Sequence, residues 1–163
     1  MQKLSVVMIT KNAERLLAKS LKSVQKLASE IIIVDNNSID KTLEIAKKFG
    51  AKIYSLSTDN LGEQKDYGVK QARNNWILIL DSDEIVSEDL ANEIKSILAK
   101  STKYYGFKIP YQNHLFGKPI FYGGENYAML RLFQKKYAKI NHSLVHESAT
   151  VRDFNFGQLK NKI

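Results

Sequence analysis

Apolar residues in this 163-residue chain follow two alternating rhythms. The nearly unbroken runs Leu4–Ile9, Ile31-Ile32-Ile33-Val34 and Trp76-Ile77-Leu78-Ile79-Leu80 have the length of strands buried on both faces. Between them the spacing is helical. Asn12 can cap a helix whose inward face is Ala13, Leu16, Leu17, Leu21, Val24 and Leu27. Asp40 can cap a second helix with Leu43, Ala46 and Phe49 inward. Lys47 and Lys48 lie in its last turn, and Gly50 supplies the left-handed stop. A third strand is expected at Ala51–Ser55 and a helix over about residues 63–72. Ser87 should cap a helix over Glu88–Leu98, with Leu90, Ile94, Ile97 and Leu98 inward.

Strands alternating with helices imply right-handed parallel βαβ units, a sheet covered on both faces, and a functional edge at the carboxyl ends of the strands. Thr10, Asp35 and Asp81 all fall at that edge. From Tyr104 the texture changes to short segments rich in aromatic and β-branched residues: Tyr105–Tyr111, Lys118–Tyr122, Met129–Gln134 and Val145–Val151. These predict added strands of mixed direction within one α/β domain. Residues 1–100 form one half and 101–163 the other, with no linker or repeat between them.

Composition narrows the class. At 44% hydrophobic and 26% charged residues, the chain is an ordinary globular one and not a disordered segment. It has no cysteine, which excludes a thiolate metal site and agrees with a cytoplasmic location. No apolar run reaches the roughly 18 residues that span a bilayer. The net charge of +8 is unevenly placed. Residues 1–100 hold 15 Lys and Arg against 14 Asp and Glu, whereas residues 101–163 hold 10 against 3. A field of that kind attracts an anionic partner, or is simply a solvated basic surface.

Candidate chemistry gathers at the predicted edge. Asp81-Ser82-Asp83-Glu84 closes the most apolar strand with three carboxylates. Asp81 and Asp83, one residue apart, call for a cation and are placed to hold a divalent metal and, through it, a diphosphate. Such a triplet is elsewhere often a solvated turn. Asp35 can accept from a ribose hydroxyl or a base imide. The neighbouring Asn36, Asn37, Ser38 and Asp40 are also normal turn and cap residues. Thr10, Lys11 and Asn12 could face a base or phosphate, although a helix cap explains Asn12 equally well. Gln64 and Lys65, on the helix after Gly62, would lie beside a bound nucleotide, although a plain amphipathic helix start explains Gly62 and Glu63 equally well.

These segments resemble the family 2 glycosyltransferases of the GT-A fold. The resemblance is carried by Val6–Asn12, Ile31–Thr42, Gly62-Glu63-Gln64-Lys65 and Trp76–Glu84. Gly106–Pro110, Gly123-Gly124, Leu130-Arg131-Leu132-Phe133 and Leu144–Ser148 are similar, more narrowly, to lipopolysaccharide core biosynthesis glycosyltransferases of the WaaE/KdtX type. The resemblance implies a GT-A (Rossmann-like) mostly parallel sheet and an inverting transfer from a nucleotide-sugar, with uracil as the base. It assigns Thr10, Asn12, Asp35, Asn37, Gln64, Lys65 and Asp81 to the nucleotide-sugar, and Asp83 to Mg²⁺ or Mn²⁺. His146-Glu147 would lie near the acceptor hydroxyl, with His146 a metal ligand or an orienting group. Ile39 stands where the family usually has Thr, and Glu125-Asn126-Tyr127 is one residue shorter than the family's corresponding stretch. Members commonly continue with further helices, so the endpoint reads as a naturally short form or a fragment.

Inverting transfer needs one base opposite the leaving diphosphate. Glu147 and Glu125 are the candidates. Arg131 could grip a phosphate of the acceptor or form an ordinary salt bridge. Lys103, Lys108, Lys118, Lys135, Lys136 and Lys139 would draw a phosphorylated saccharide or lipid-linked acceptor, such as a lipid A–core precursor, and favour peripheral association with an anionic membrane. Three other readings compete. A sugar nucleotidyltransferase would want a glycine-rich loop after the first strand, which is missing. A nucleic-acid-binding module would be opposed by the acids at the edge. A non-catalytic relative would bind a nucleotide-sugar without transferring it.

Overall fold

A computed structural model describes residues 2–112, 114–115, 118–119, 127–143 and 148–163. The first hundred residues run β1 (Leu4–Thr10), α1 (Leu17–Val24), β2 (Glu30–Asp35), α2 (Thr42–Lys48), β3 (Lys52–Ser55), α3 (Leu61–Gln71), β4 (Trp76–Asp81) and α4 (Glu88–Ala99). Then follow β5 (Gly106–Pro110), β6 (His114–Leu115), β7 (Lys118–Pro119), β8 (Ala128–Gln134), β9 (Ala138–Ile140), β10 (Ala149–Val151) and β11 (Phe156–Gln158).

Seven strands form one sheet in the order β11-β5-β8-β4-β1-β2-β3. β1 pairs in parallel with β2 and β4, β2 with β3, and β5 with β11, while β8 runs against both of its neighbours. The expected mixed strands of the last third therefore extend the parallel sheet. β9 with β10, and β6 with β7, form separate two-stranded ribbons. Of the segments expected at Lys118–Tyr122 and Val145–Val151, residues 120–122 and 145–147 lie outside the described residues.

Strand alternation divides the core. Leu4, Val6, Met8, Ile31, Ile33, Trp76, Leu78 and Leu80 pack under α1, α2 and α4. Val7, Ile9, Ile32, Val34, Ile77 and Ile79 point the other way, toward α3 and the β10 segment. Burying each such side chain contributes roughly 1.5–3 kcal/mol, which explains why apolar runs appear where both faces are covered. α3 sits close on the sheet because Gly68 has no side chain. A Cβ there would lie 2.5 Å from Val7 Cγ1 and 2.9 Å from Val34 Cγ2.

Helix ends differ from expectation where long-range bonds win over local caps. Ser87 does cap α4, accepting from Leu90 N at 3.2 Å, and Gly50 stops α2 at φ +69°. α3 begins two residues earlier than expected because Asn60 accepts from Glu63 N. Asn12 caps nothing: α1 starts at Leu17 with no side-chain cap. Asn12 adopts φ 50° and turns its Oδ1 to Ile39 N at 2.9 Å.

Candidate active site

Parallel register brings distant residues to one rim. Thr10 is the Cα partner of Asp35, and Ile9 that of Asp81. The Thr10 hydroxyl donates to Asp35 Oδ1 at 2.8 Å. Asp35 is only 1% exposed, and it also accepts from Ser38 N at 2.8 Å and from Ser38 Oγ at 2.6 Å. The carboxylate thus shapes its own turn, in which Asn37 takes φ 54°. This structural role is one the sequence reading did not give it.

The loop after β1 is stitched to the loop after β2. Asn12 N donates to Ser38 Oγ, Ala13 N to Thr42 Oγ1, Glu14 N to Asp40 Oδ2, and Lys41 N to Glu14 Oε2, all within 3.1 Å. Asn36 Nδ2 reaches Thr58 O and Asn37 Nδ2 reaches Ser57 Oγ, which adds the loop after β3. Three crossovers therefore build one polar shelf at the carboxyl ends of β1, β2 and β3. On α3, Gln64 is buried to 2% exposure, and its Nε2 has no hydrogen-bond partner among the described residues.

The end of β4 brings its own cations. Lys65 Nζ lies 3.0 Å from Asp81 Oδ1, and Arg131 Nη2 lies 2.7 Å from Asp81 Oδ2. Arg131 also contacts Glu84 Oε1 at 3.0 Å, and its Nε donates to the Tyr111 hydroxyl at 2.7 Å. Glu84 Oε2 in turn accepts from Asp81 N at 2.8 Å. Two cations and two carboxylates form a closed, nearly neutral cluster with Arg131 5% exposed. The cation demanded by Asp81 is thus supplied from within the protein.

Burial opposes the charge on Asp81, but Arg131 and Lys65 outweigh it and hold the carboxyl below its ordinary range. Burial pushes Glu84 up, with the Asp81 charge adding to it against the pull of Arg131. Burial also raises the Tyr111 phenol. Arg131 is buried too, yet the flanking carboxylates hold its proton more firmly than usual.

Asp83 points outward at the rim and lines a cavity of about 410 Å³ with Glu84, Tyr111, Gln112 and Tyr127. No group of three or more His, Asp or Glu is assembled for a metal among the described residues. One exposed carboxylate fits the mode in which magnesium or manganese is held by one or two acids plus substrate phosphates. Glu125, His146 and Glu147 lie outside the described residues.

Glu84 and Tyr111 were missed by the sequence reading. A signal existed in Arg131, an arginine inside the apolar strand Leu130–Phe133, which needs a buried acid as partner.

An α/β sheet with a polar shelf over its first parallel strands, and acids at the next strand's carboxyl end, defines a domain of the GT-A kind with its candidate site at the carboxyl edge. The chain belongs to glycosyl transferase family 2, whose model matches residues 5–153. An uncharacterized glycosyltransferase of Rickettsia typhi is 32% identical over 170 residues, covering 96% of this chain and 56% of that protein. The 4,4'-diaponeurosporenoate glycosyltransferase of Staphylococcus haemolyticus is 32% identical over 128 residues, covering 72% and 34%. This chain spans about half the length of the Rickettsia relatives it matches.

Among solved structures, S. aureus TarS residues 1–349 in complex with UDP-GlcNAc aligns with a TM-score of 0.61 at 23% identity, covering 72% of this chain and 36% of that one. Glucosyl-3-phosphoglycerate synthase from Mycobacterium tuberculosis in complex with UDP aligns at 0.59 and 21% identity, covering 69% and 46%. A further structure of that synthase holds Mn²⁺, UDP and glucosyl-3-phosphoglycerate. These likenesses establish the GT-A fold. No helix among the described residues is long and apolar enough to cross a membrane.

Proposed function

We propose that the protein is an inverting glycosyltransferase that moves a hexose from a UDP-sugar to a hydroxyl of a phosphorylated saccharide or lipid-linked acceptor in cell-envelope glycan synthesis, as in the lipopolysaccharide core. The observation that carries this reading is the common rim. Thr10 pairs with Asp35 across β1 and β2, Asp81 on β4 pairs with the adjacent Ile9, and Asp83 follows on the solvent side. Thr10, Asn12, Asp35 and Asn37 form the shelf for base and ribose, with Gln64 and Lys65 beside it.

Lys65 and Arg131 balance Asp81, so the leaving diphosphate meets a site whose negative charge is already offset. A divalent ion held by Asp83, with His146 as a second candidate ligand, would neutralise the charge growing on that diphosphate. The acceptor oxygen attacks the anomeric carbon from the face opposite the diphosphate. The new C–O bond forms as the bond to the diphosphate breaks, and the hydroxyl proton passes to Glu147 or Glu125. Arg131 serves the acceptor side through Tyr111, which it holds. The basic last third favours an anionic acceptor and a peripheral position on an anionic membrane.

The test is a thermal-shift panel of UDP-, GDP-, ADP- and CMP-sugars with and without Mn²⁺, since a bound ligand raises the melting temperature. The reading expects a manganese-dependent rise with UDP-sugars that Asp83→Ala abolishes. No rise with any nucleotide-sugar would sink it. A rise without sugar transfer, even in the presence of acceptor glycans, would favour the non-catalytic relative.

A further inference from the structure

The cavity beside Asp83 has an aromatic wall. Tyr111 and Tyr127 stack with ring centroids 4.8 Å apart and planes at 27°. Tyr111 N donates to Tyr127 O at 3.2 Å, so the stack is tied at the backbone as well. Tyr127 remains 42% exposed, and its partner is fixed by the guanidinium of Arg131. An exposed ring held rigid from behind is a platform, and a cavity of about 410 Å³ lies within the range of small-molecule sites.

The platform's position separates it from the nucleotide shelf. Tyr111 follows β5 and Tyr127 precedes β8. Both strands lie on the side of β4 away from β1 and β2. A ligand resting on the two tyrosines therefore approaches the Asp81-Ser82-Asp83 turn from the side opposite Thr10 and Asp35. Inverting displacement requires the nucleophile on the ring face away from the leaving diphosphate, so donor and acceptor need separate approaches to that turn.

Charge then selects the ligand. Among the described residues, the ionisable side chains lining the cavity, apart from the tyrosines, are Asp83 and Glu84; Lys162 Nζ lies 3.2 Å from Oε1 of the lining Gln112, and the charge of Arg131 is engaged by Asp81 and Glu84. A phosphate resting on the tyrosines would meet the Glu84 carboxylate and would compete with the leaving diphosphate for an ion at Asp83. An uncharged pyranose would meet an aromatic face for its C–H side, while Asp83 at the rim can accept from one of its hydroxyls.

We propose that this cavity seats the reacting ring of the acceptor, and that the ring is a neutral sugar stacked on Tyr127. Any phosphates of the acceptor then lie outside this cavity, toward the lysines. The inference rests on the transferase reading and deepens it.

Saturation-transfer NMR with methyl β-glucopyranoside and methyl N-acetyl-β-glucosaminide, in the presence of UDP and Mn²⁺, tests it. Ring protons of at least one glycoside should receive saturation from the wild-type protein. The transfer should fall about fivefold or more in Tyr127→Ala and return in Tyr127→Phe, which keeps the ring. Equal transfer to wild type and Tyr127→Ala overturns the proposal, as does transfer to neither glycoside. A Tyr127-dependent signal only from glucose 6-phosphate, or only from the sugar of UDP-GlcNAc, also overturns it. Calorimetric titration of UDP with Mn²⁺ into each variant is the separate arm. If the wild type takes up no nucleotide, the transferase reading fails, while the glycoside result still decides the platform.

Discussion

Replacing Arg131 with methionine removes the centre of the buried charge cluster while keeping a side chain that can fill the space. The guanidinium contacts Asp81 at 2.7 Å and Glu84 at 3.0 Å. Losing one partner of a buried ion pair typically costs 3–5 kcal/mol. Asp81 keeps Lys65 at 3.0 Å, and a third of its side chain is exposed. Glu84, with its side chain 12% exposed, carries most of the loss. About 3 kcal/mol is therefore expected, at the lower end of that range. With a urea slope of about 2 kcal/mol/M, the unfolding midpoint at pH 7.5 should fall by about 1.5 M.

The sign of the pH dependence follows from the two carboxyls. Asp81 is held below its ordinary range in the folded protein, so it contributes stability above that range, lost as pH falls through the depressed value. Glu84 is raised, so its contribution is present at low pH and lost as pH rises through the folded value. Without Arg131 both values rise, and the folded variant binds protons that the wild type does not. The gap between the two proteins should narrow by about 1 kcal/mol between pH 7.5 and 4.5. Adding Glu84→Gln to Arg131→Met should recover about half of the loss. A midpoint change under about 0.5 M at pH 7.5, or a gap indifferent to pH, would refute the account of this cluster.

Other perturbations follow the same logic. Thr10→Val removes one of the hydrogen bonds to buried Asp35 and should cost about 1.5–3 kcal/mol in urea unfolding, with weaker UDP uptake in calorimetry. Gly68→Ala places a methyl 2.5 Å from Val7 Cγ1. About 2 kcal/mol of overpacking should lower the melting temperature by about 4–8 °C in calorimetry. Cosedimentation with liposomes should rise with anionic lipid content and decline as salt is added. Indifference to both would remove the membrane part of the reading.

Most of the sheet was legible because its strands are buried on both faces. Ile31–Val34 and Trp76–Leu80 admit no amphipathic alternative once the helical spacing between them is seen. Asp35 and Asp81 could be placed at one edge because parallel crossovers leave every strand end on the same side. Asn12 was misread because capping is judged from neighbours, whereas its partner Ile39 is 27 residues away. The cations of Asp81 were hidden for the same reason. Lys65 and Arg131 are 66 residues apart in sequence, and only the sheet order and the seat of α3 bring them to one carboxylate. Hydrophobic periodicity reports which face a residue points to, but not which charged side chains meet there.

The bonds joining the loops after β1 and β2 bear on how such a domain can be re-engineered. Residues 12–14 and 38–42 exchange side-chain and backbone bonds in both directions, so each loop leans on the other for its conformation. A chimaera that transplants one from a homologue should misfold locally unless its counterpart travels with it. Diversification is cheaper across the turn after β4, at positions outside the Arg131 cluster, where side chains can be exchanged without unpicking that weave.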